Sequence, residues 1–390
     1  MTLGYSQNAP LIRSAPDLDS VPGLLTAHSG AEFFLAGSGS SSMTLSLPRI
    51  SILDRANARD GLPAADALHR VLERAQRAEE LGYHRFWVAE HHAVPGIAGS
   101  VPAVLMAAIA ARTHSIRVGS GGIMLPNHQP LVVAEQAATL EALHPGRIDL
   151  GVGRSVGFTP AVRDALRTGK EEAERFEDLL ADLLAYLSGT ASITARPRND
   201  SATPVFVLAT GSGIDIAARA GLAVVLGGPA VFRTDQNGRL PALERYRSQF
   251  RPSRWFRRPF VMVSANVAVA ATSQAARELL LPEAVALARS RTTGEFAALA
   301  PVGPAEWAGL TVREKEAVER SLATSIYGTA SEVRTQVQHL LATSGADELL
   351  ITGGAFDVAA QAESDRILAG LFPQDERHSM DDRLGFVAPR

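Results

Sequence analysis

Eight short apolar runs, each followed by a stretch of helical period, recur along most of this chain. That alternation restricts the fold more than any single motif. The runs are ISILD (50–54), RFWVAE (85–90), IRVGSGG (116–122), RIDLGVG (147–153), PVFVLAT (204–210), AVVLGG (223–228), FVMVSANVAV (260–269) and ELLITGG (348–354). Helical patterns fall between them at 64–82, 101–113, 130–144, 174–188, 213–221, 241–250 and near 273–289, with a last one at 359–371. In the first, Leu68, Val71, Leu72, Ala75 and Leu81 share one face, and Gly82 stands where a helix stops. Strands alternating with helices predict βαβ units and a parallel sheet. Eight such units predict an α/β (β/α)8 TIM barrel. A doubly wound open sheet is the competitor. It more often stops at fewer strands, and no G-x-G-x-x-G turn follows the first run here.

The longest connection lies between the seventh and eighth strands and predicts an insertion around 290–326. The barrel is expected to occupy 47–375. Residues 1–46 show no period and end in GSGSSS (37–42), the composition of a flexible extension. Residues 376–390 read as a C-terminal tail.

Composition narrows the chemistry. The chain of 390 residues has no cysteine, which excludes disulfides, thiolate catalysis and cysteine-bound metals. A net charge of -3 gives no reason to expect nucleic acid or an anionic membrane as partner. Arginines 245, 247, 251, 254, 257 and 258 are interleaved with aromatics, and a surface or interface role is expected for them. No apolar run reaches the roughly 20 residues that span a bilayer. The N-terminus lacks a signal-peptide pattern, so a cytoplasmic location is expected.

In a (β/α)8 barrel the active site is built at the C-terminal strand ends. The second run ends in Glu90-His91-His92, three titratable groups suited to proton transfer, to a hydrogen-bonded cluster or to a metal. Metal is the least favoured: no H-E-x-x-H or H-x-H pattern occurs, and nothing in the sequence places His128 as a third ligand. The third run ends in Ser120-Gly121-Gly122. Two successive glycines leave a flat wall for a planar ring, or mark a bulge or close backbone contact. The fourth ends in Gly153-Arg154-Ser155, and the fifth leads into Gly211-Ser212-Gly213 at a helix start. Together these two loops form either a phosphate site or ordinary strand-to-helix turns with a solvated arginine.

The stretches AEELGYHRFWVAEHH, RVGSGGIMLPNHQPLVVAEQAATLEALHPGRIDLGVGR and GADELLITG closely resemble the bacterial luciferase-like flavin monooxygenase superfamily. The match is best to its stand-alone oxidoreductases and extends over residues 48–373. The resemblance implies a TIM barrel, usually dimeric. It implies reduced FMN from a separate reductase and dioxygen as co-substrate for oxygenating a small organic, secondary-metabolite-like substrate. It implies His91 as the catalytic histidine, supported by Glu90 and His92. It also implies a non-proline cis peptide at Gly121-Gly122, a phosphate-binding Arg154, and further phosphate contacts from Gly211 and Ser212. Two departures stand out. The chain reads ATGSGID (209–215) where a Gly-Ser-Ser run is usual, and VVLGGPAV (224–231) where a histidine pair is usual. Alternatives are a deazaflavin-dependent hydride-transfer enzyme of the same fold and a flavin-binding relative without catalysis.

Overall fold

The computed structural model describes residues 48–157, 159–198 and 203–373. The expectations for 1–46 and 376–390 lie outside the described residues. The strands are β1 (Arg49–Asp54), β2 (Arg85–Val88), β3 (Arg117–Ser120), β4 (Ile123–Met124), β5 (Ile148–Gly153), β6 (Val205–Leu208), β7 (Ala223–Gly227), β8 (Val261–Val269), β9 (Ile326–Gly328) and β10 (Glu348–Thr352). Eight of them pair in parallel in the order β1-β2-β3-β5-β6-β7-β8-β10, and β10 pairs with both β8 and β1. That double pairing closes the (β/α)8 barrel. Strand residues such as Ile52, Phe86, Val118, Ile148, Phe206 and Val263 are fully buried, because helices cover the outside while side chains fill the inside.

The first six connections carry α1 (Ala64–Glu80), α2 (Pro102–Ala110), α3 (Pro130–Leu143), α4 (Pro160–Leu166), α5 (Lys170–Glu174), α6 (Phe176–Ser188), α7 (Gly213–Ala220) and α8 (Pro241–Gln249). The seventh is the long one: α9 (Ser273–Thr293), α10 (Pro304–Gly309), α11 (Val312–Leu322), β9 and α12 (Ala330–Ser344) precede β10, and α13 (Val358–Leu371) follows it. The insertion expected at 290–326 is present, but the helix that directly precedes the last strand is α12, which the sequence reading left unassigned. Its pattern was there: Val333, Val337 and Leu340 are buried on one face, and Thr329 and Glu332 form a capping box.

Two strand ends also differ from expectation. The second strand stops at Val88, so Glu90 lies in the following loop and not in the strand. The third is split into β3 and β4 by a cis peptide bond between Gly121 and Gly122, after which β4 continues along β5.

The N-terminal end of the barrel is closed by charges. Arg85, Asp149 and Glu348 are fully buried, and Arg117 nearly so. Arg85 donates to Asp149 (2.7 Å) and to both Glu348 oxygens (3.0 and 3.1 Å), and Arg117 Nε donates to Asp149 Oδ1 (2.9 Å). Two cations and two anions cancel, which is the condition for burying them. The insertion crosses the opposite end. Gly96 N donates to Phe296 O, Leu299 N to Ala58 O and Asp60 N to Leu299 O, each at 2.8 Å. Among the described residues, no helix is long and apolar enough to cross a membrane.

Candidate active site at the mouth of the barrel

A cavity of about 500 Å³ opens at the C-terminal ends of the strands. Its volume lies in the range of small-molecule and cofactor sites, ~300–1,000 Å³. Of the residues expected from sequence, Glu90, His91, Gly121, Gly122, Gly153, Arg154, Ser155, Gly211 and Gly213 line it. Ser120, His92 and Ser212 do not, and each has a different reason.

Ser120 is wholly buried. Its hydroxyl donates to Gly151 O (2.8 Å) and accepts from Gly151 N (3.0 Å), tying β3 to β5 beneath the cavity. Ser120, expected from sequence at the cofactor, lies below the cavity wall and fixes the strands under the glycine pair. Ser212 reaches the site through Arg154, whose guanidinium donates to its hydroxyl at 2.8 Å. Two loops 58 residues apart are thereby brought together at the head of α7.

His92 turns to Glu90. Its Nε2 lies 2.6 Å from Glu90 Oε1, and His128 Nε2 lies 2.9 Å from the same oxygen. A carboxylate only accepts, so both rings donate from Nε2. Met124 N donates to the other oxygen at 3.0 Å. Burial pushes the Glu90 carboxyl up, but the hydrogen bonds and charge of His128, then those of His92 and Met124, hold it below its ordinary value. Glu90 is therefore a buried carboxylate that accepts from His92, His128 and the Met124 N–H of the β4 backbone. The three ligand atoms lie within 4.8 Å of one another, a spacing a metal could use. Two of those contacts, from His92 and His128 to Glu90, are of hydrogen-bond length. His128 joins the group only through tertiary structure.

His91 faces the cavity, and its backbone N–H donates to Gly99 O at 3.0 Å. Burial, reinforced by the charge of Arg55, pushes its imidazole down to about 4 against the weaker pull of Glu90. At neutral pH the ring is uncharged, able to accept a proton at one nitrogen and donate from the other. Arg55, which the sequence reading passed over, forms an ion pair with Glu283 of α9. The one signal available was a charged residue directly after the first strand, at the catalytic end of the barrel.

The glycine pair serves both readings that the sequence left open. A side chain at Gly121 would strike Leu53 (2.6 Å) and Trp87 (3.2 Å), and one at Gly122 would strike Leu208 (2.9 Å) and Gly151 O (3.0 Å). The close packing demands glycine, and the same glycines leave a bare backbone surface on the cavity. Leu53, Met124, Phe176, Leu208, Val225 and Leu350 make the remaining wall mostly apolar. A planar apolar ring with a polar, anionic tail toward Arg154 matches this surface. Of the aromatics interleaved with the arginines of 245–258, Tyr246, Trp255 and Phe256 are buried in the core.

The comparisons agree with this geometry. Residues 48–348 match the family described as luciferase-like monooxygenase. A luciferase-like monooxygenase of Escherichia coli (strain K12) is 35% identical over 320 residues, covering 80% of this chain and 94% of the relative. The solved structure of apo-MsnO8 superposes with a TM-score of 0.72 at 31% identity, over 85% of this chain and 100% of that one. Two more distant barrels share the fold: the oxygenating constituent of 3,6-diketocamphane monooxygenase in complex with FMN (TM-score 0.60, 17% identity, 84% and 98% covered) and an F420-dependent secondary alcohol dehydrogenase (TM-score 0.57, 15% identity, 84% and 98% covered). The chain belongs to the luciferase-like monooxygenase family, a family of oxidoreductases.

Proposed function

We propose that this protein is a monooxygenase that takes reduced FMN from a separate reductase and uses O2 to oxygenate a small organic molecule. One observation carries the reading: a single cavity joins a neutral buried histidine, a bare glycine floor and an Arg154–Ser212 pair at a helix N-terminus. Gly121-Gly122 and the apolar wall would hold the isoalloxazine ring, and Arg154, Ser212 and the N-terminus of α7 the phosphate. When bound, reduced flavin supplies the electrons that activate dioxygen. His91, kept neutral by burial and by Arg55, accepts or returns a proton at the reacting atoms. Glu90 fixes His92, His128 and the Met124 backbone, and so shapes the wall beside His91. The insertion segment is hydrogen-bonded across the loops after β1 and β2, and in this reading it would limit the entry of water beside His91.

A homodimer is part of the proposal. Val101 and Val104 of the α2 region and Val132 and Leu143 of α3 are 46–68% exposed. Two adjacent helices with outward apolar residues present a surface suited to a second copy.

Titration of the purified protein with oxidised FMN, reduced FMN and deazaflavin tests the reading. Micromolar binding of reduced FMN, followed by His91-dependent oxygen consumption with substrate, is expected. Preferential deazaflavin binding without oxygen uptake would replace it with hydride transfer. Flavin binding with no His91-dependent turnover would leave a binding protein, and no binding below millimolar would end it.

A further inference from the structure

Behind the loop that follows β1, away from the flavin-sized cavity and sharing no lining residue with it, lies a small cavity of about 20 Å³. One water needs ~10–15 Å³ measured this way, so the space takes one water or one monatomic ion. Arg59, Arg70, Arg74 and Arg77 line it, with Asp54 as the carboxylate among the lining groups. Asn57 lines it too. It is 8% exposed, and its Nδ2 has no hydrogen-bond partner among the described residues.

The charges there do not balance. Arg74 uses both nearby carboxylates, donating twice to Asp365 (2.8 and 2.9 Å) and once to Asp54 (2.9 Å). The second Asp54 oxygen accepts from Ala56 N at 2.8 Å. Arg59 reaches only neutral acceptors: Phe356 O (2.9 Å), Gln361 Oε1 (3.2 Å) and Asn57 O (3.4 Å). Among the described residues, no ion pair is formed by Arg70 or Arg77. Burial, then the charges of Arg70 and Arg74, push Arg59 down, with Asp54 and Asp357 opposing them. A water would satisfy Asn57 and leave the charge surplus; an anion satisfies both.

We propose that this cavity is a binding site for a single halide-sized anion, chloride in solution, held by Asn57 Nδ2 and the Arg59–Arg70 guanidinium groups. The site sits where two chain segments meet: the loop after β1, carrying Arg55 and Arg59, and the loop after β10, whose Gly354 N–H donates to Glu283. An anion there ties the two loops together beneath the crossing insertion.

The test needs no flavin, so its outcome is separate from that of the monooxygenase reading. Thermal unfolding is followed in sodium chloride and in sodium gluconate at equal ionic strength. A saturable rise of about 2–4 °C with chloride over gluconate is expected. Arg70→Gln, which breaks no ion pair, removes that rise and leaves the circular dichroism spectrum unchanged. In crystals soaked in bromide, an anomalous peak falls among Asn57, Arg59 and Arg70. Identical unfolding in the two salts, a chloride response that survives Arg70→Gln, or a site without anomalous signal overturns the proposal.

Discussion

At the scale of the residue, the chemistry turns on His91. An ordinary histidine is half protonated near 6.5; this one titrates at about 4 because burial and Arg55 oppose its charged form. The unfolded chain takes up that proton first, so acidification from about 6.5 toward 4 draws stability away from the native state. Imidazole resonances followed by NMR are expected to show one histidine titrating near 4 that disappears in His91→Ala. A normal midpoint for that resonance would remove the argument for a neutral base. The same variant is expected to lower turnover by about 10²–10⁴-fold with FMN affinity little changed. Arg154→Ala has the opposite profile. Loss of one charge-assisted contact, about 1.5–3 kcal/mol, weakens FMN binding by roughly 10–100-fold, while riboflavin, which lacks the phosphate, binds both forms alike. Equal losses for both ligands would place the phosphate elsewhere.

At the scale of the element, the insertion between β8 and β10 is a fastened strap. Three backbone hydrogen bonds fix its 296–299 stretch to the loops after β1 and β2. Gly96 permits the contact, since a side chain there would lie 2.1 Å from Ala297 O. Gly96→Val is expected to detach the strap. Hydrogen exchange at the Leu299 amide, which donates to Ala58 O, then accelerates while strand amides keep their protection. Unchanged exchange at Leu299 would show that the contact yields without opening. The element scale is also where the sequence was most and least legible. Helices α1, α3, α7 and α13 were readable to within a residue or two because their apolar spacing is local. The second strand ended two residues early, since the chain then leaves the ladder and the His91 backbone N–H donates to Gly99 O within the same loop.

At the scale of the molecule, the barrel floor carries a balanced buried charge cluster in place of an aliphatic layer. Asp149 is held below its ordinary value: burial pushes it up, and the Arg117 and Arg85 guanidinium groups outweigh that. Because the unfolded chain is protonated more easily, the stabilisation is present above about pH 4 and is lost as pH falls below it. Asp149→Asn removes the carboxylate that Arg85 and Arg117 share and leaves a net buried positive charge, and is expected to cost about 3–5 kcal/mol in urea unfolding; a change below 1 kcal/mol would mean water reaches the cluster. Quaternary structure is tested at Val104, 68% exposed on α2. Val104→Lys is expected to shift the light-scattering mass from dimer to monomer without altering circular dichroism, and an unchanged mass would place the interface elsewhere.

The sequence by itself determined the eight-fold alternation of strand and helix, the glycine pair, and that Glu90, His91 and Arg154 stand at the C-terminal ends of strands. Those are properties of local period and residue type, and they survive without knowing what lies across the barrel. Only the tertiary structure decided that Arg154 meets Ser212, that His128 completes the Glu90 cluster, that Ser120 ties β3 to β5 below the cavity, and that Arg55 depresses His91. Each of those pairings joins segments from different strands. Their geometry follows from strand register and ring closure, which no local pattern of hydrophobic and polar residues encodes.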